Sequence, residues 1–236
     1  MQMIIAEEKL MMSKYNLILG DCIEQMDKLM EDGVTVDLTV TSPPYDNARS
    51  YEDEVVWNFD VFKEVANRLY AITKNGGVVI WVVNDSVIKG SESGTSFRQA
   101  LYFKEIGFNL HDTMIYRKKN YTPLTHNRYE QEWEYMFCFS KGKPKVFNPI
   151  KIPCKYAGTT TWGKSKFYKT DSDELTEVAQ NIIHDTKIKG NIFEYRTGST
   201  QTGKIKHPAV FPLDLAKEQI MSWTNESDLV LDPFMR

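Results

Sequence analysis

Short apolar runs alternate along this chain with stretches whose apolar residues recur every three or four positions, a pattern that predicts βαβ units building a largely parallel sheet. Tyr15-Asn-Leu-Ile-Leu reads as a short strand closed by Gly20-Asp21. Ile23 to Met30 carries helical spacing, and Thr35 to Val40 is the next strand. It runs into Ser42-Pro43-Pro44-Tyr45, where two prolines at a strand end can only form loop. From Asn58 the positions Phe59, Phe62, Val65, Leu69 and Ile72 define a helix, which Asn75-Gly76-Gly77 is expected to stop. Val78 to Val83 is continuously apolar, as a central strand buried on both faces should be. Ser96 is placed to cap a helix through Ile106, which Gly107 ends. Strands from about Phe108 to Tyr116 and from Trp133 to Phe139 can pair as a hairpin. A helix opened by Pro212 and running to Trp223 leads to Asp228-Leu-Val-Leu-Asp-Pro-Phe234, a strand whose end bears an acid and a proline.

One segment breaks this texture. Between Lys141 and Thr170 there are eight lysines, no acid and five aromatics (Phe147, Tyr156, Trp162, Phe167, Tyr168), with little periodicity, which predicts an irregular insertion outside the sheet. At 236 residues and 42% hydrophobic content the chain can bury one substantial core and carry such a lobe. A net charge of −3 announces no nucleic-acid partner by itself, so the local basic run is the informative quantity. Cys22, Cys138 and Cys154 have neither disulfide nor zinc spacing, which points to a reducing compartment and so to the cytoplasm. No apolar window is long enough for a membrane span, and the N-terminus lacks a signal-peptide pattern. His111, His126, His184 and His207 show no ligand spacing, so no metal is expected.

Open α/β sheets bind ligands at the C-terminal ends of their strands, and three polar clusters fall there: Gly20-Asp21, Ser42-Pro-Pro-Tyr45 and Asp232-Pro-Phe234. The second suits chemistry on an exocyclic amine. That nitrogen is a poor nucleophile because its lone pair is delocalised into the base. A hydroxyl at Ser42 and the carbonyl of Pro43, aimed outward by the rigid Pro43-Pro44 turn, can accept its two N–H bonds and favour the attacking geometry. Tyr45 offers a face on which a flipped base can stack. The same four residues are also compatible with a plain Pro-Pro turn and a packing tyrosine.

An ordered set of segments from Tyr15 to Phe234 resembles the N4-cytosine and N6-adenine DNA methyltransferases, in the circularly permuted order where the catalytic motif precedes the cofactor motif. Gly20-Asp-Cys-Ile-Glu and Val36-Asp-Leu-Thr-Val-Thr-Ser-Pro-Pro-Tyr45 resemble that family's N-terminal block. Tyr129-Glu-Gln-Glu-Trp-Glu-Tyr-Met-Phe-Cys-Phe-Ser-Lys-Gly142 resembles the strand entering its recognition region. Gly190-Asn-Ile-Phe-Glu-Tyr195, His207-Pro-Ala-Val-Phe-Pro212 and Asp228-Leu-Val-Leu-Asp-Pro-Phe-Met235 resemble its C-terminal block. The resemblance implies a Rossmann-like α/β methyltransferase sheet with helices on both faces, S-adenosylmethionine as cofactor and double-stranded DNA as substrate. It divides the chain into a catalytic part (1–140), a target-recognition insertion (141–190) and the start of the cofactor-binding part (191–236).

By that resemblance Ser42, Pro43, Pro44 and Tyr45 form the reacting centre, and Asp21 contacts the adenosine side of the cofactor, unless it only caps the following helix. The loop from His207 to Pro212, with His207, Pro208, Phe211 and Pro212 as contacts, approaches the methionine end, His207 being equally readable as a surface residue. Asp232 and Phe234 begin the loop that wraps the cofactor, and Lys164, Lys166 and Lys169 meet DNA phosphate, unless the basic run is a solvated loop. Family members continue after Asp-Pro-Phe with a glycine-rich loop, a helix and a further strand, whereas this chain ends at Arg236. It therefore reads as truncated within the cofactor motif and as binding S-adenosylmethionine weakly by itself, with Tyr15 to Leu19 left without a strand partner. A second polypeptide or a second copy of the chain completing the site is an open alternative. Serine before Pro-Pro favours N4 of cytosine over N6 of adenine. A catalytically inactive DNA-binding remnant is the competing reading from another class. A protein-amide methyltransferase is disfavoured by motif order, and a C5-cytosine enzyme by the placement of Cys154 in the basic insertion.

Overall fold

The computed structural model describes residues 2–5, 15–45, 57–121, 127–160, 166–169, 172–177, 182–196 and 211–235. In chain order the first half contains β1 (Gln2–Ile5), β2 (Asn16–Leu19), α1 (Cys22–Glu31), β3 (Val36–Thr41), α2 (Phe59–Ile72) and β4 (Thr73–Val83). Then come β5 (Val87–Ile88), β6 (Ser91–Glu92), α3 (Thr95–Glu105), β7 (Asn109–Lys118) and β8 (Trp133–Ser140). The remainder comprises β9 (Lys151–Pro153), β10 (Lys166–Lys169), β11 (Ser172–Glu177), β12 (Thr186–Ile188), β13 (Ile192–Tyr195), α4 (Leu213–Trp223) and β14 (Val230–Met235).

Eight strands form one sheet in the order β13-β7-β8-β4-β3-β14-β1-β2. It is mixed where the sequence pattern predicts it largely parallel. β13 on β7, β14 on β3 and β3 on β4 are parallel, while the β7–β8 hairpin, its contact with β4 and both contacts of β1 are antiparallel. The expectation that Tyr15 to Leu19 lacks a partner is overturned. β1 lies between β14 and β2 and pairs with both, Gln2 opposite Leu19 and Ile4 opposite Asp232.

Val78 to Val83 fulfils the reading of its apolar run, each residue being at most 1% exposed. Alternation along the strand sends Val79, Trp81 and Val83 into one cluster with Met26 of α1, Phe62, Val65 and Leu69 of α2, and Phe103 of α3. Burying each such side chain stabilises the fold by roughly 1.5–3 kcal/mol. Val78, Ile80 and Val82 face the opposite side, where α4 packs against β3 and β13, so helices cover both faces.

Two local expectations fail for identifiable reasons. Helix α2 ends at Ile72, before the glycines, because Thr73 is already extended (ψ 129°) and its Oγ1 donates to the Leu69 carbonyl at 2.6 Å. Asn75-Gly76-Gly77 is instead a kink inside β4, where Gly76 (φ +83°) donates its N–H to the Lys141 carbonyl. Ser96 does not cap α3. It is buried within the first turn, its N–H and hydroxyl both donate to the carboxylate of Asp85, and the N-cap position is Gly94. Asp85, from the end of β4, thus supplies the acceptor that the helix start lacks.

By internal contacts Met1–Asn148 together with Asn191–Arg236 form one compact unit and Pro149–Gly190 a second. The second contains the antiparallel ribbons β9–β12 and β10–β11, neither of which joins the eight-stranded sheet, and a Thr160–Ile182 bridge. No helix among the described residues is long and apolar enough to cross a membrane.

Candidate functional site at the strand ends

The parallel register of β3 and β14, Leu38 opposite Val230 and Thr39 opposite Leu231, brings the C-terminal ends of these strands side by side. Ser42-Pro43-Pro44-Tyr45 follows β3 directly, and Asp232-Pro233-Phe234 lies at the end of β14. A hydrogen bond joins the two: Thr41 Oγ1 donates to Asp232 Oδ1 at 2.6 Å, and the Phe234 N–H donates to the same oxygen at 3.1 Å. Burial pushes the Asp232 carboxyl up to about 6 despite these two hydrogen bonds, which pull it down. Asp232 and Phe234 are strand residues and do not begin a loop, because β1 continues the pairing of β14 through Met235. Phe234 is buried, with its ring edge-on to Trp57 (5.4 Å) and Trp81 (5.9 Å).

In the Ser42–Tyr45 turn the two prolines are buried while Ser42 and Tyr45 are partly exposed. The Tyr45 hydroxyl donates to Glu134 Oε2 at 2.6 Å, and Ser42 Oγ donates to the Tyr45 oxygen at 3.4 Å. Glu134 belongs to β8 and is 7% exposed; its other oxygen meets Lys118 Nζ of β7 at 2.6 Å. A cavity of about 240 Å³ opens between the first turns of α2 and α3, lined by Trp57, Asn58, Thr95, Arg98 and Gln99 among others. Trp57 therefore touches both this cavity and Phe234.

The other residues singled out in the sequence are more dispersed. Asp21 is the N-cap of α1, its Oδ1 accepting from the N–H groups of Ile23 (2.8 Å) and Glu24 (3.4 Å). It stands at the end of β2, separated from β14 by β1. Pro212 is the buried N-cap residue of α4, preceded by a half-buried Phe211. His207, Pro208 and Lys164 lie outside the described residues. Lys166 and Lys169 are placed only through the backbone of β10, whose register sets Lys166 opposite Glu177 and Lys169 opposite Ser172. Cys22 and Cys138 are buried with thiols pushed up by desolvation, Cys22 to about 12, so neither is a nucleophile.

Three side chains of the strand-end cluster are not singled out as site residues by the sequence: Trp57, and Thr41 and Glu134, which lie inside the family-like segments. Glu134 left a legible signal, since it is the single acid within the apolar run of β8. Such a buried carboxylate needs partners.

Comparison with known proteins covers the same ground. The model of the N6/N4 methyltransferase family, described as DNA methylase, matches residues 36–235. The chain is similar to the orphan methyltransferase M.BamHII of Bacillus amyloliquefaciens, with 48% identity over 222 residues, 92% of this chain and 78% of that protein. Among solved structures its fold is similar to that of M1.HpyAVI in its complex with SAM (TM-score 0.58, 23% identity, 92% of this chain and 82% of that one). It is also similar to that of the cytosine-N4-specific PvuII DNA methyltransferase (TM-score 0.60, 18% identity, 89% and 70%). The family match begins at the strand leading into Ser42 and runs through the strand carrying Asp232, so the chain belongs to the N6/N4 DNA methylase family.

Proposed function

We propose that this protein transfers a methyl group from S-adenosylmethionine to the exocyclic amino group of a base in duplex DNA at a specific sequence, N4 of cytosine being favoured over N6 of adenine by serine at position 42. The motif order is the circularly permuted one, Ser42-Pro-Pro-Tyr45 preceding Asp232-Pro-Phe234. The observation that carries the reading is the Thr41–Asp232 hydrogen bond, which ties the residue before the amine-binding turn to the strand end that would hold the cofactor.

The groups at that strand end fit the cofactor chemically. A desolvated carboxyl at Asp232 is stabilised in its charged form by a cationic ligand, and the aromatic pair Trp57 and Phe234 matches a flat heterocycle. When bound, S-adenosylmethionine supplies a methyl group on a sulfonium, already a good leaving group. The protein's task is therefore alignment. Ser42 Oγ and the Pro43 carbonyl accept the two N–H bonds of the amine and hold its lone pair toward the donor. Tyr45 stacks on the extruded base, whose unstacking costs a few kcal/mol that these contacts must offset. Asp21, with His207, Pro208, Phe211 and Pro212, would complete the cofactor contacts, and Lys164, Lys166 and Lys169 of the second unit would engage phosphate.

Replacing Ser42 or Tyr45 with alanine tests the assignment. S42A should keep the wild-type melting temperature to within a few degrees and Y45A should melt lower, since it takes a donor from buried Glu134, while both stay folded and lose single-turnover methyl transfer by about 100-fold or more, as for removal of a positioned group at a reacting centre. Unchanged single-turnover rates would remove Ser42-Pro-Pro-Tyr45 from the reaction.

A further inference from the structure

We propose that Glu134 is a positioning residue that sets the direction of the Ser42 hydroxyl, an inference that rests on the reading of Ser42 as an acceptor for the amine. The groups form one chain across three strands: Lys118 on β7, Glu134 on β8, and Tyr45 and Ser42 after β3. An ionised carboxylate only accepts hydrogen bonds, and an ammonium only donates. With Lys118 Nζ on Oε1 and the Tyr45 hydroxyl on Oε2, both at 2.6 Å, the Tyr45 proton is committed to Glu134. The Tyr45 oxygen then receives the Ser42 proton at 3.4 Å. Ser42 Oγ consequently turns its lone pairs outward, which is what accepting an N–H from an amine requires. Pointed the other way, the same hydroxyl would present a proton to the nitrogen that must attack. Glu134 is nearly buried, so this polarity is held in a setting where a misdirected proton is costly.

The substitution Glu134→Gln inverts the chain. Lys118 can only donate, so it claims the amide oxygen and turns the amide NH₂ toward Tyr45. Tyr45 then accepts from the amide, its proton is released from position 134 and can point at Ser42, and the Ser42 proton is no longer drawn away from the amine. E134Q should therefore lower kcat by about tenfold or more, the worth of one hydrogen bond made only in the reacting complex, with KM for DNA and cofactor changed by less than about twofold. Tyr45→Phe keeps the stacking ring and cuts the chain, leaving Ser42 free to rotate, so Y45F should be faster than E134Q. The double variant E134Q/Y45F should match Y45F alone. Removing the cation as well, in E134Q/K118M, lets the amide turn its oxygen to Tyr45, and kcat should recover to within a few-fold of wild type. This variant also removes the cation whose countercharge E134Q takes away, a loss that weakens folding of E134Q.

The probe is methyl-labelled S-adenosylmethionine with unmodified duplex DNA, read for each variant as label incorporation in single turnover for the chemical step and across substrate concentrations for kcat and KM. Wild-type rates in E134Q, a double variant E134Q/Y45F slower than either single, or no recovery in E134Q/K118M would overturn the role of Glu134 while leaving the methyltransferase reading in place. Absence of label transfer by the wild-type protein would overturn that reading and this one with it.

Discussion

Replacing Asp232 with asparagine separates what this side chain does for the fold from what it does for a ligand. An aspartate ordinarily titrates near 3.9. Burial at the end of β14 pushes Asp232 up to about 6, so the folded protein binds the proton more tightly than the unfolded chain. Below about pH 4 the carboxyl is protonated in both states and contributes no difference. Between about 4 and 6 the unfolded chain ionises first, and wild-type stability falls as pH rises. Above that window the full penalty is present, about two units or up to about 3 kcal/mol. Asparagine retains a carbonyl oxygen to accept from Thr41 Oγ1 and the Phe234 N–H, the two donors at 2.6 and 3.1 Å, but has no proton to lose. D232N should match wild type in urea unfolding at pH 4 and exceed it at pH 7 by up to about 3 kcal/mol, in the manner of functional groups retained at a cost in stability. If the carboxylate meets the cofactor, calorimetry at pH 7 should show affinity for S-adenosylmethionine falling about tenfold or more, the loss of one charge-assisted contact. A variant less stable than wild type at pH 7, or a difference that does not change between pH 4 and 7, would refute the desolvation reasoning; unchanged affinity would remove Asp232 from the cofactor site.

Truncating Phe103, fully buried among the rings of Phe62, Trp81, Phe108 and Phe139, should cost about 3–5 kcal/mol in urea unfolding, since the sheet and three helices meet there and cannot collapse into the void. Neutralising Lys164, Lys166 and Lys169 together should weaken DNA binding and lower the magnitude of the slope of log K against log salt by about 0.9 for each lysine that engages phosphate, measured by fluorescence anisotropy across salt. An unchanged slope would mean that the phosphate contacts lie elsewhere.

The sequence was most legible where periodicity alone decides. The apolar run Val78–Val83, the helical stripe from Phe59 to Ile72 and the hairpin of β7 with β8 appear in the structure as the pattern implies. The partners of these elements were less legible. Four residues near the N-terminus, Gln2–Ile5, pair with both β14 and β2, and a short strand of that kind has too few alternations to distinguish it from a tail. That pairing also turned Asp232-Pro-Phe234 from an expected loop into strand. In the site, Ser42-Pro-Pro-Tyr45 stood out because two prolines after a strand are rare. Glu134 is marked only as the single acid in the apolar run of β8, and Lys118 not at all, because the partners that give them a role are distant in sequence: 89 residues separate Glu134 from Tyr45. Asp85 capping α3 from outside is the same case, since Ser96 had the better local credentials and the wrong surroundings.

Identifying the methylated nucleoside tests the proposed reaction most directly. The purified protein is incubated with methyl-labelled S-adenosylmethionine and unmodified duplex DNA, the DNA is digested to nucleosides, and the labelled species is identified by mass and chromatography. N4-methylcytosine is the expected product. N6-methyladenine would reverse the choice of base while keeping an amino-directed reaction at Ser42-Pro-Pro-Tyr45, and label in 5-methylcytosine, or none in DNA, would contradict that reaction.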